Sequence, residues 1–311
     1  MDIFEKVEIF LNKIHKDEIV NYPFYLYGFE EEYKKVKSYN NGYLPFYINK
    51  DLKITQNFLP KENTLNRPGL LREKTKYVVI HDAGLASPLM TAKGLDQYLH
   101  TTTRQASWHY SVDDKEVYQE LPLEEVAWHA GDGRTSYPEN WLNDKGFHLG
   151  GGNYTGIGIE TCVYKGVNFN QAMRNVAKLT AWLLIKYDLS VNDVKQHNDF
   201  SGKNCPETIR TANRWDEFIE LVNLEYYKNT KLADVELEFV SLDPQFLDNE
   251  GNVLKHPLRD KIVSYEVKAN YQGCLLYTSD AADDLLCVDL GGRRIIKKKK
   301  TNNKTSIKRT H

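Results

Sequence analysis

The four residues Tyr77–Ile80 form a continuous apolar run that limits the folds open to this chain. Three of the four, Val78, Val79 and Ile80, are β-branched, and such a run predicts a strand buried on both faces, as in the central sheet of an α/β protein. His81 follows directly. We therefore expect its imidazole at the rim of that sheet, where the sites of α/β folds usually lie.

Further strand and helix patterns alternate along the chain and predict an α/β domain over residues 61–228. The predicted strands cover residues 77–80, 106–112, 116–120, 155–163 and 191–195, and the predicted helices cover residues 91–102, 170–187 and 206–224. Thr91 is the expected N-cap of the first helix, and Pro206 is expected at the entry of the last. Residues 131–154, rich in Gly, Asn and aromatic residues, predict a long loop of the kind that often carries function.

The segments on either side of this domain have a different character. Residues 1–60 predict a short helix over residues 1–19 followed by an extended surface arm. Residues 229–273 alternate apolar and polar positions, which predicts the start of a β-rich domain that stops before it is complete. Residues 274–311 begin with CLLYTSDAAD, which resembles the translation of a transposase adapter used in DNA library preparation. We hypothesise that this tail is non-native, without a packing pattern, and that the natural coding sequence is interrupted near Gly273.

The composition excludes some classes of function. The chain has 41 Lys and Arg against 43 Asp and Glu, and the basic tail hides a mildly acidic main body, so there is no electrostatic footprint for nucleic acid. No apolar run reaches the length of about 18 residues needed to span a membrane, and no signal peptide is visible. The four cysteines contain no CxxC pair and do not form a disulfide framework; Cys162 is expected to be a buried free thiol.

The segment Gln196–Pro206, with the sequence QHNDFSGKNCP, brings His197, Lys203 and Cys205 close together in the chain. With His81, this segment offers two imidazoles and one thiolate, which are three ligands for a tetrahedral metal with one position left open. That arrangement is typical of catalytic rather than structural zinc, and thiolate with imidazole favours zinc over magnesium or calcium. These residues predict a zinc hydrolase.

Five stretches in unbroken order carry a resemblance to a known family. They are VVIHDAG at 78–84, ASWHYSVDD at 106–114, VAWHAGDG at 126–133, GIGIE at 156–160 and HNDFSGKNCP at 197–206. Together they resemble the zinc N-acetylmuramoyl-L-alanine amidases of the amidase-2 family, which includes phage endolysins and prophage autolysins of Gram-positive bacteria and is related to the peptidoglycan recognition proteins. The resemblance covers about residues 60–215. It implies a central mixed β-sheet flanked by helices, and cleavage of the amide between N-acetylmuramic acid and L-alanine.

The resemblance also implies roles for individual residues. His81, His197 and Cys205 are expected to bind one Zn²⁺ per catalytic domain. Glu160, at the end of a core strand, is expected to act as general base for the attacking water and then as proton donor to the leaving nitrogen. Lys203 is expected to stabilise the oxyanion. The alternatives are a rim carboxylate in a salt bridge for Glu160 and a solvated loop lysine for Lys203.

Four further motif residues are predicted to bind substrate or to lie behind the site. Trp108 takes the place of a tyrosine that counts as catalytic in some relatives; because indole does not titrate, the change puts more weight on Glu160. His129 is expected to hydrogen-bond substrate, or else to be structural. Trp128 is expected to flank the glycan or to pack in the core. His109 is included among the substrate-binding candidates, although a supporting role behind the metal is the alternative.

The implied partner is bacterial peptidoglycan, attacked by a monomer that acts on the cell wall. Without a signal peptide, we expect release by lysis or through a holin. Two other classes of function compete with the enzyme. A muropeptide-binding module of the same fold would be marked by loss of the thiolate ligand, and Cys205 is present. A structural or sensory zinc–thiolate site would leave Glu160 and the aromatic-rich loop unexplained.

Overall fold

The computed structural model divides the chain into two compact units, with Leu52–Tyr226 in one and Tyr227–His311 in the other. The structure describes residues 52–83, 87, 89–131, 151–246, 248, 249 and 254, together with Lys6 and the backbone of six further strands. Of the helix predicted over residues 1–19, Lys6 is helical and most of the remainder lies outside the described residues, as do residues 132–150 of the predicted loop. No helix in the described part of the chain has the length and apolarity needed to cross a bilayer.

The secondary-structure elements among the described residues are as follows. The strands are β1 (Glu18–Asn21), β2 (Lys37–Tyr39), β3 (Ile54–Gln56), β4 (Tyr77–Asp82), β5 (Tyr110–Val112), β6 (Val117–Gln119), β7 (Gly156–Thr161), β8 (Val194–Gln196), β9 (Glu236–Ser241), β10 (Lys261–Ile262), β11 (Tyr265–Tyr271), β12 (Cys274–Ser279) and β13 (Ser306–Arg309). The helices are α1 (Ala92–Thr101), α2 (Gly152–Thr155), α3 (Phe169–Lys186), α4 (His197–Ser201), α5 (Glu207–Thr211) and α6 (Trp215–Lys231).

A six-stranded sheet organises the unit that contains the motifs. Its strand order is β3-β6-β5-β7-β4-β8. Neighbouring strands are parallel except for β5 and β6, which are antiparallel. Helix α1 packs on β5 and β6, and α3 packs on β4, β5 and β7. The mixed sheet flanked by helices is therefore confirmed.

The apolar run in β4 lies at the centre of the core. Val78, Val79 and Ile80 are fully buried, as are Ile157 and Ile159 of the neighbouring strand. The strand continues two residues past the predicted end and includes His81 and Asp82. Burial on both faces is thus confirmed for this strand, and Cys162 is confirmed as a buried free thiol.

The strand register aligns polar side chains at the carboxyl end of the sheet. His81 on β4 lies opposite Glu160 on β7, and Glu160 lies opposite Ser111 on β5. Ile80 lies opposite Gln196 on β8, so His197 begins α4 beside His81. Because partners in register project to the same face of a sheet, these side chains form one row across neighbouring strands.

Helix caps confirm two of the predicted helices to within a residue or two. The Thr91 hydroxyl accepts a hydrogen bond from the Gly94 amide at 3.0 Å at the start of α1. The Asn168 side chain accepts one from the Gln171 amide at 3.1 Å at the start of α3. These side chains satisfy backbone N–H groups that have no partner inside a helix, which fixes where each helix begins.

The last predicted helix, residues 206–224, is wrong as a single helix. Pro206 does sit at the entry, as N-cap of α5, but α5 ends at Thr211 and α6 begins at Trp215. Asn213, between the two helices, has φ +53°. Asparagine is one of the few residues that adopts this left-handed conformation readily, and it terminates helices there much as glycine does.

Two short segments near the sheet also differ from the sequence prediction. β3 (Ile54–Gln56) lies inside the predicted surface arm, yet it pairs with β6 and belongs to the central sheet. The compact unit accordingly includes residues from Leu52 on, whereas we place the start of the catalytic domain at residue 61. The predicted strand over residues 191–195 is a 3₁₀ turn at Val191–Asp193 followed by β8.

The other unit contains two further sheets, β10-β1-β2 and β13-β12-β11-β9. β12 and β13 belong to residues 274–311, for which we expected no packing pattern, and they extend the sheet outward from β11 by antiparallel pairing. An open sheet edge offers unpaired N–H and C=O groups to any chain with strand propensity, which accounts for this pairing. The origin of the tail remains a hypothesis.

Candidate active site

Three side-chain donors converge at the carboxyl end of β4. The Nδ1 atoms of His81 and His197 lie 3.1 Å apart, and the Cys205 Sγ lies 3.8 Å from His81 Nδ1. All three ligand atoms lie within 4.8 Å of one another, and all three residues are buried. Zinc bonds of about 2.0–2.3 Å in a tetrahedron put ligand atoms roughly 3.3–3.6 Å apart. The type and spacing of these donors fit a zinc ion.

The segment between His197 and Cys205 folds back on itself and so brings its two donors together. The Asn198 amide donates to the Cys205 carbonyl at 3.0 Å, and the Asn198 side chain donates to the Lys203 carbonyl at 2.8 Å. Gly202 ends α4 with φ +71°, a conformation that glycine adopts without steric cost. The HNDFSGKNC sequence therefore encodes a compact turn with both donors on it.

Asp82, which the sequence reasoning did not single out, ties the two donor segments together. Its Oδ2 accepts a hydrogen bond from the Thr208 amide at 2.5 Å, just after the Cys205 turn. Burial raises the pKa of the Cys205 thiol, and the charges of Asp82 and Glu160 raise it further; the backbone N–H of Asp82 and the charge of Lys203 oppose the shift. An acidic residue directly after a predicted ligand is the sequence signal that points to such a clamp.

Glu160 lies one strand away from His81 and lines the cleft next to the donors. Its Oε2 atom is buried and has no hydrogen-bond partner within the part of the chain that the structure describes. Burial raises the pKa of Glu160 to about 8; Asp82 also raises it and Lys203 lowers it. The salt-bridge alternative for Glu160 does not fit, since no ion pair involves its carboxylate among the described residues.

Lys203 is exposed and lines the same cleft. The pKa of His81 is lowered well below its ordinary value, mainly by burial and then by the charges of His197 and His129. The charge of Lys203 lowers it further. The ammonium therefore lies close enough to act electrostatically on both the donor cluster and Glu160.

The cleft over the donors has a volume of about 400 Å³. It is lined by Asp82, Ala83, Met90, Leu95, Tyr98, Arg104, Gln105, Ala106, Trp108, Trp128, His129, Gly131, Glu160, His197, Ser201 and Lys203. The sequence reasoning missed the contribution of α1 to this wall. Leu95 and Tyr98 fall on the apolar stripe of that helix, and periodicity does not distinguish a residue that faces the core from one that faces a cleft.

Trp108 and Trp128 both line the cleft. The Trp108 ring is stacked on Tyr98 with 6.5 Å between centroids, and its Nε1 donates to the Ser111 hydroxyl at 2.7 Å. Its polar atom is therefore used inside the protein, which leaves only the ring for contact with a ligand. Trp128 packs edge-on against Tyr154. Trp128 thus both packs against a neighbouring ring and lines the cleft, and its contact with the glycan stays a prediction.

The structure separates the two remaining histidines. His129 lines the cleft, and its Nδ1 lies 3.0 Å from His81 Nε2. Burial lowers the pKa of His129 to about 3, and a hydrogen bond with the Gly156 backbone partly opposes this shift. His109 is fully buried and lies outside the cleft lining. The supporting role fits this burial better than a contact with substrate, which stays a prediction.

Both ring nitrogens of His109 are used by the backbone. Nδ1 accepts from the Gly158 amide at 3.1 Å, so the proton is on Nε2, which donates to the Glu125 carbonyl at 3.0 Å. The guanidinium of Arg72 lies 3.3 Å from Nε2, but it donates to the Glu125 and Gly156 carbonyls instead. These contacts hold β7 against the loop that contains Glu125.

Comparison with known proteins gives a consistent family. Residues 71–208 match the profile of Amidase_2, N-acetylmuramoyl-L-alanine amidase. The N-acetylmuramoyl-L-alanine amidase XlyA of Bacillus subtilis (strain 168) is 34% identical over 165 residues, which are 53% of this chain and 49% of that protein. The N-acetylmuramoyl-L-alanine amidase CwlH of the same strain is 33% identical over 171 residues, 53% of this chain and 59% of that protein.

A solved structure of the catalytic domain of XlyA aligns with 55% of this chain and 99% of its own length, at 33% identity and a TM-score of 0.48. The chain thus spans about half to three fifths of the length of the two curated relatives. The matched segment includes every motif residue discussed above, from His81 to Cys205. Residues 71–208 of this chain therefore form a domain of the Amidase_2 family.

Proposed function

We propose that this chain is a zinc-dependent N-acetylmuramoyl-L-alanine amidase, which hydrolyses the amide between N-acetylmuramic acid and L-alanine in bacterial peptidoglycan. The observation that carries the proposal is the convergence of His81, His197 and Cys205. Glu160 is paired in register with His81, and Glu160 and His197 line the same cleft. The relatives XlyA and CwlH are named for this activity. The site of action is the cell wall.

His81, His197 and Cys205 would hold the zinc ion. When bound, zinc supplies a Lewis acid that polarises the scissile carbonyl and makes water more acidic. A set of two imidazoles and one thiolate leaves room in a tetrahedral shell for substrate or water. All three donors are buried, and His197 lines the cleft of about 400 Å³.

Glu160 and Lys203 would carry the proton and charge changes of the reaction. Glu160 takes a proton from the attacking water as its oxygen bonds to the carbonyl carbon, and it delivers that proton to the nitrogen as the carbon–nitrogen bond breaks. The Lys203 ammonium stabilises the negative charge that develops on the carbonyl oxygen. Both side chains reach the cleft from different elements, β7 and the turn before Cys205.

The aromatic wall would position the substrate over this floor. Tyr98 and Trp108 form a stacked pair on one side, and Trp128 lies in the same lining. Such surfaces suit the apolar faces of sugar rings and the methyl groups of lactyl and alanyl units, and they exclude water from the reacting groups.

Purified Gram-positive cell walls provide the test. Incubation with the full chain should release new L-alanine amino termini without new reducing sugar ends. Glu160→Gln should retain one zinc per chain and lose most of that release, while Glu220→Gln, an exposed carboxylate on α6, should behave like the parent protein.

Two results would contradict the proposal. Full activity in Glu160→Gln would remove the base assignment. Binding of cell walls by zinc-loaded parent protein, without new amino termini, would instead favour a muropeptide-binding module of the same fold.

A further inference from the structure

We propose that His129 is a positioning residue for the metal centre, which accepts a hydrogen bond from His81 and so holds the His81 Nδ1 lone pair toward the other two donors. The inference rests on the proposed zinc site. It assigns His129 a role in metal affinity, instead of the contact with substrate that its place in the cleft lining suggests.

His81 and His129 are within hydrogen-bonding distance of each other. The Nε2 of His81 lies 3.0 Å from the Nδ1 of His129, and the two rings meet edge-on with an interplanar angle of 86°. A hydrogen bond at this distance needs the proton on one of the two nitrogens. The choice of nitrogen fixes the tautomer of both rings.

Only one choice is compatible with metal binding. If the proton is on His81 Nε2, then His81 Nδ1 carries a lone pair that faces His197 Nδ1 at 3.1 Å and Cys205 Sγ at 3.8 Å. If the proton is on His129 instead, a neutral His81 must carry its own proton on Nδ1, where it blocks a metal. Ligating histidines generally need an acceptor on the far ring nitrogen, and His129 is placed to be that acceptor.

His129 is itself held rigidly, as a positioning residue must be. The backbone amides of His129 and Ala130 both donate to Asn153 Oδ1 at 2.8 Å. Its ring lies against the backbone of β7, where a Cβ on Gly158 would come within 2.8 Å of His129 Cγ and 3.0 Å of Nδ1. Glycine at position 158 therefore provides the space that lets this ring reach His81.

The His129 ring offers substrate no solvent-accessible nitrogen. Nδ1 is engaged by His81, and Nε2 is buried, with no hydrogen-bond partner among the described residues. A role in hydrogen-bonding the stem peptide would require a ring nitrogen that reaches the cleft. The contact with His81 is the one that the geometry supports.

A matched pair of variants isolates the acceptor. His129→Asn places an amide oxygen near the position of Nδ1, whereas His129→Leu has nearly the same branched shape without an acceptor. Zinc affinity of each full-length protein is measured by competition with a chromophoric chelator, and thermal unfolding of the metal-stripped proteins reports on the fold. We expect His129→Leu to weaken zinc binding about 10–100-fold and His129→Asn to stay within about threefold of the parent.

Gly158→Ala provides a second route if His129→Leu does not fold. The added methyl group must displace the His129 ring, and zinc binding should weaken in the same direction as in His129→Leu. Unchanged zinc affinity in whichever of His129→Leu and Gly158→Ala folds would overturn the inference. Equal losses of zinc affinity in His129→Asn and His129→Leu would also overturn it. Neither result would contradict the zinc site itself. Failure of the parent protein to bind zinc would overturn the proposed function itself, and the inference with it.

Discussion

Two buried histidines, His81 in β4 and His109 directly before β5, show how similar sequence signals lead to different chemistry. Both lie in family motifs and both are buried, and burial is the largest cause that lowers the pKa of each well below its ordinary value. The ring nitrogens of His109 bond to a backbone amide and a backbone carbonyl. In contrast, His81 Nδ1 faces another imidazole and a thiol.

The partners of the ring nitrogens, more than burial or motif membership, separate a structural histidine from a candidate ligand. A nitrogen that is paired with the backbone stabilises the fold and is lost to a metal. A nitrogen that faces other donors is costly to bury alone and finds its best partner in a cation. The predictions below test this contrast, beginning with the largest expected effect.

Cys205 and Cys162 extend the contrast from nitrogen to sulfur. Cys205→Ala should abolish stoichiometric zinc binding and cell-wall hydrolysis, because it removes the thiolate from the donor set. Cys162→Ala should keep both and cost about 1 kcal/mol of stability, since this fully buried thiol packs in the core. Metal analysis and release of amino termini from cell walls measure the outcome. Zinc retained at one per chain in Cys205→Ala would break the contrast.

Lys203→Met should lower kcat by about 10²-fold with zinc content unchanged, as expected for loss of one group that stabilises an oxyanion. The matched control is Lys186→Met, whose ammonium lies over the Trp182 ring outside the cleft lining. Steady-state kinetics on soluble muropeptides separates kcat from KM. An effect on KM alone would mean that Lys203 binds substrate uniformly and contributes nothing specific to the transition state.

The two kinds of histidine should separate in stability and metal content. His109→Ala leaves the Gly158 amide without its His109 acceptor, removes one of the two donors to the Glu125 carbonyl and opens a cavity in the core. It should therefore destabilise the metal-stripped protein by about 2–4 kcal/mol while zinc still binds. His197→Ala should lose zinc and destabilise the metal-stripped protein less. Urea unfolding and metal analysis of both variants provide the comparison, and the reverse order of destabilisation would contradict it.

Glu120 provides the smallest and most specific test. This fully buried carboxyl lies outside the cleft lining, and burial raises its pKa well above the ordinary value, with Ser111 opposing and Asp96 and Glu160 adding to the shift. A raised folded pKa means that the protonated form stabilises the fold at low pH, and that this stability is lost as the pH rises through the folded pKa. Glu120→Gln should therefore gain about 1 kcal/mol over the parent at neutral and alkaline pH, and less near pH 4.5. Urea unfolding at several pH values measures it, and parallel pH profiles would contradict the prediction.

Much of this arrangement could be predicted from the sequence. The β-branched run predicted that β4 lies in the core, and Thr91 predicted the start of α1. The motif positions identified the candidate ligands that the fold brings together, His81, His197 and Cys205. These features depend on local composition and spacing, which the sequence displays directly.

Other features depend on contacts that spacing does not contain. Nothing in the sequence distinguishes the pairing of His129 with His81 from a contact with substrate, because both place the residue near the cleft. The strand at Ile54–Gln56 has too little apolar pattern to be separated from a surface arm, and its place depends on the free edge of β6. The break at Asn213 follows from one backbone conformation that asparagine permits but does not require.

The hydrogen bond between Asp82 and Thr208 bears on how the proposed zinc ion would be bound. It joins β4, which carries one donor, to the start of α5, directly after the turn that carries the other two, and it uses atoms of the polypeptide alone. Little of the binding free energy of the ion would then go into ordering the chain, in contrast to small zinc domains that fold only around their metal. We therefore expect that zinc can be removed by a chelator and added back reversibly at a preformed site, while the protein stays folded.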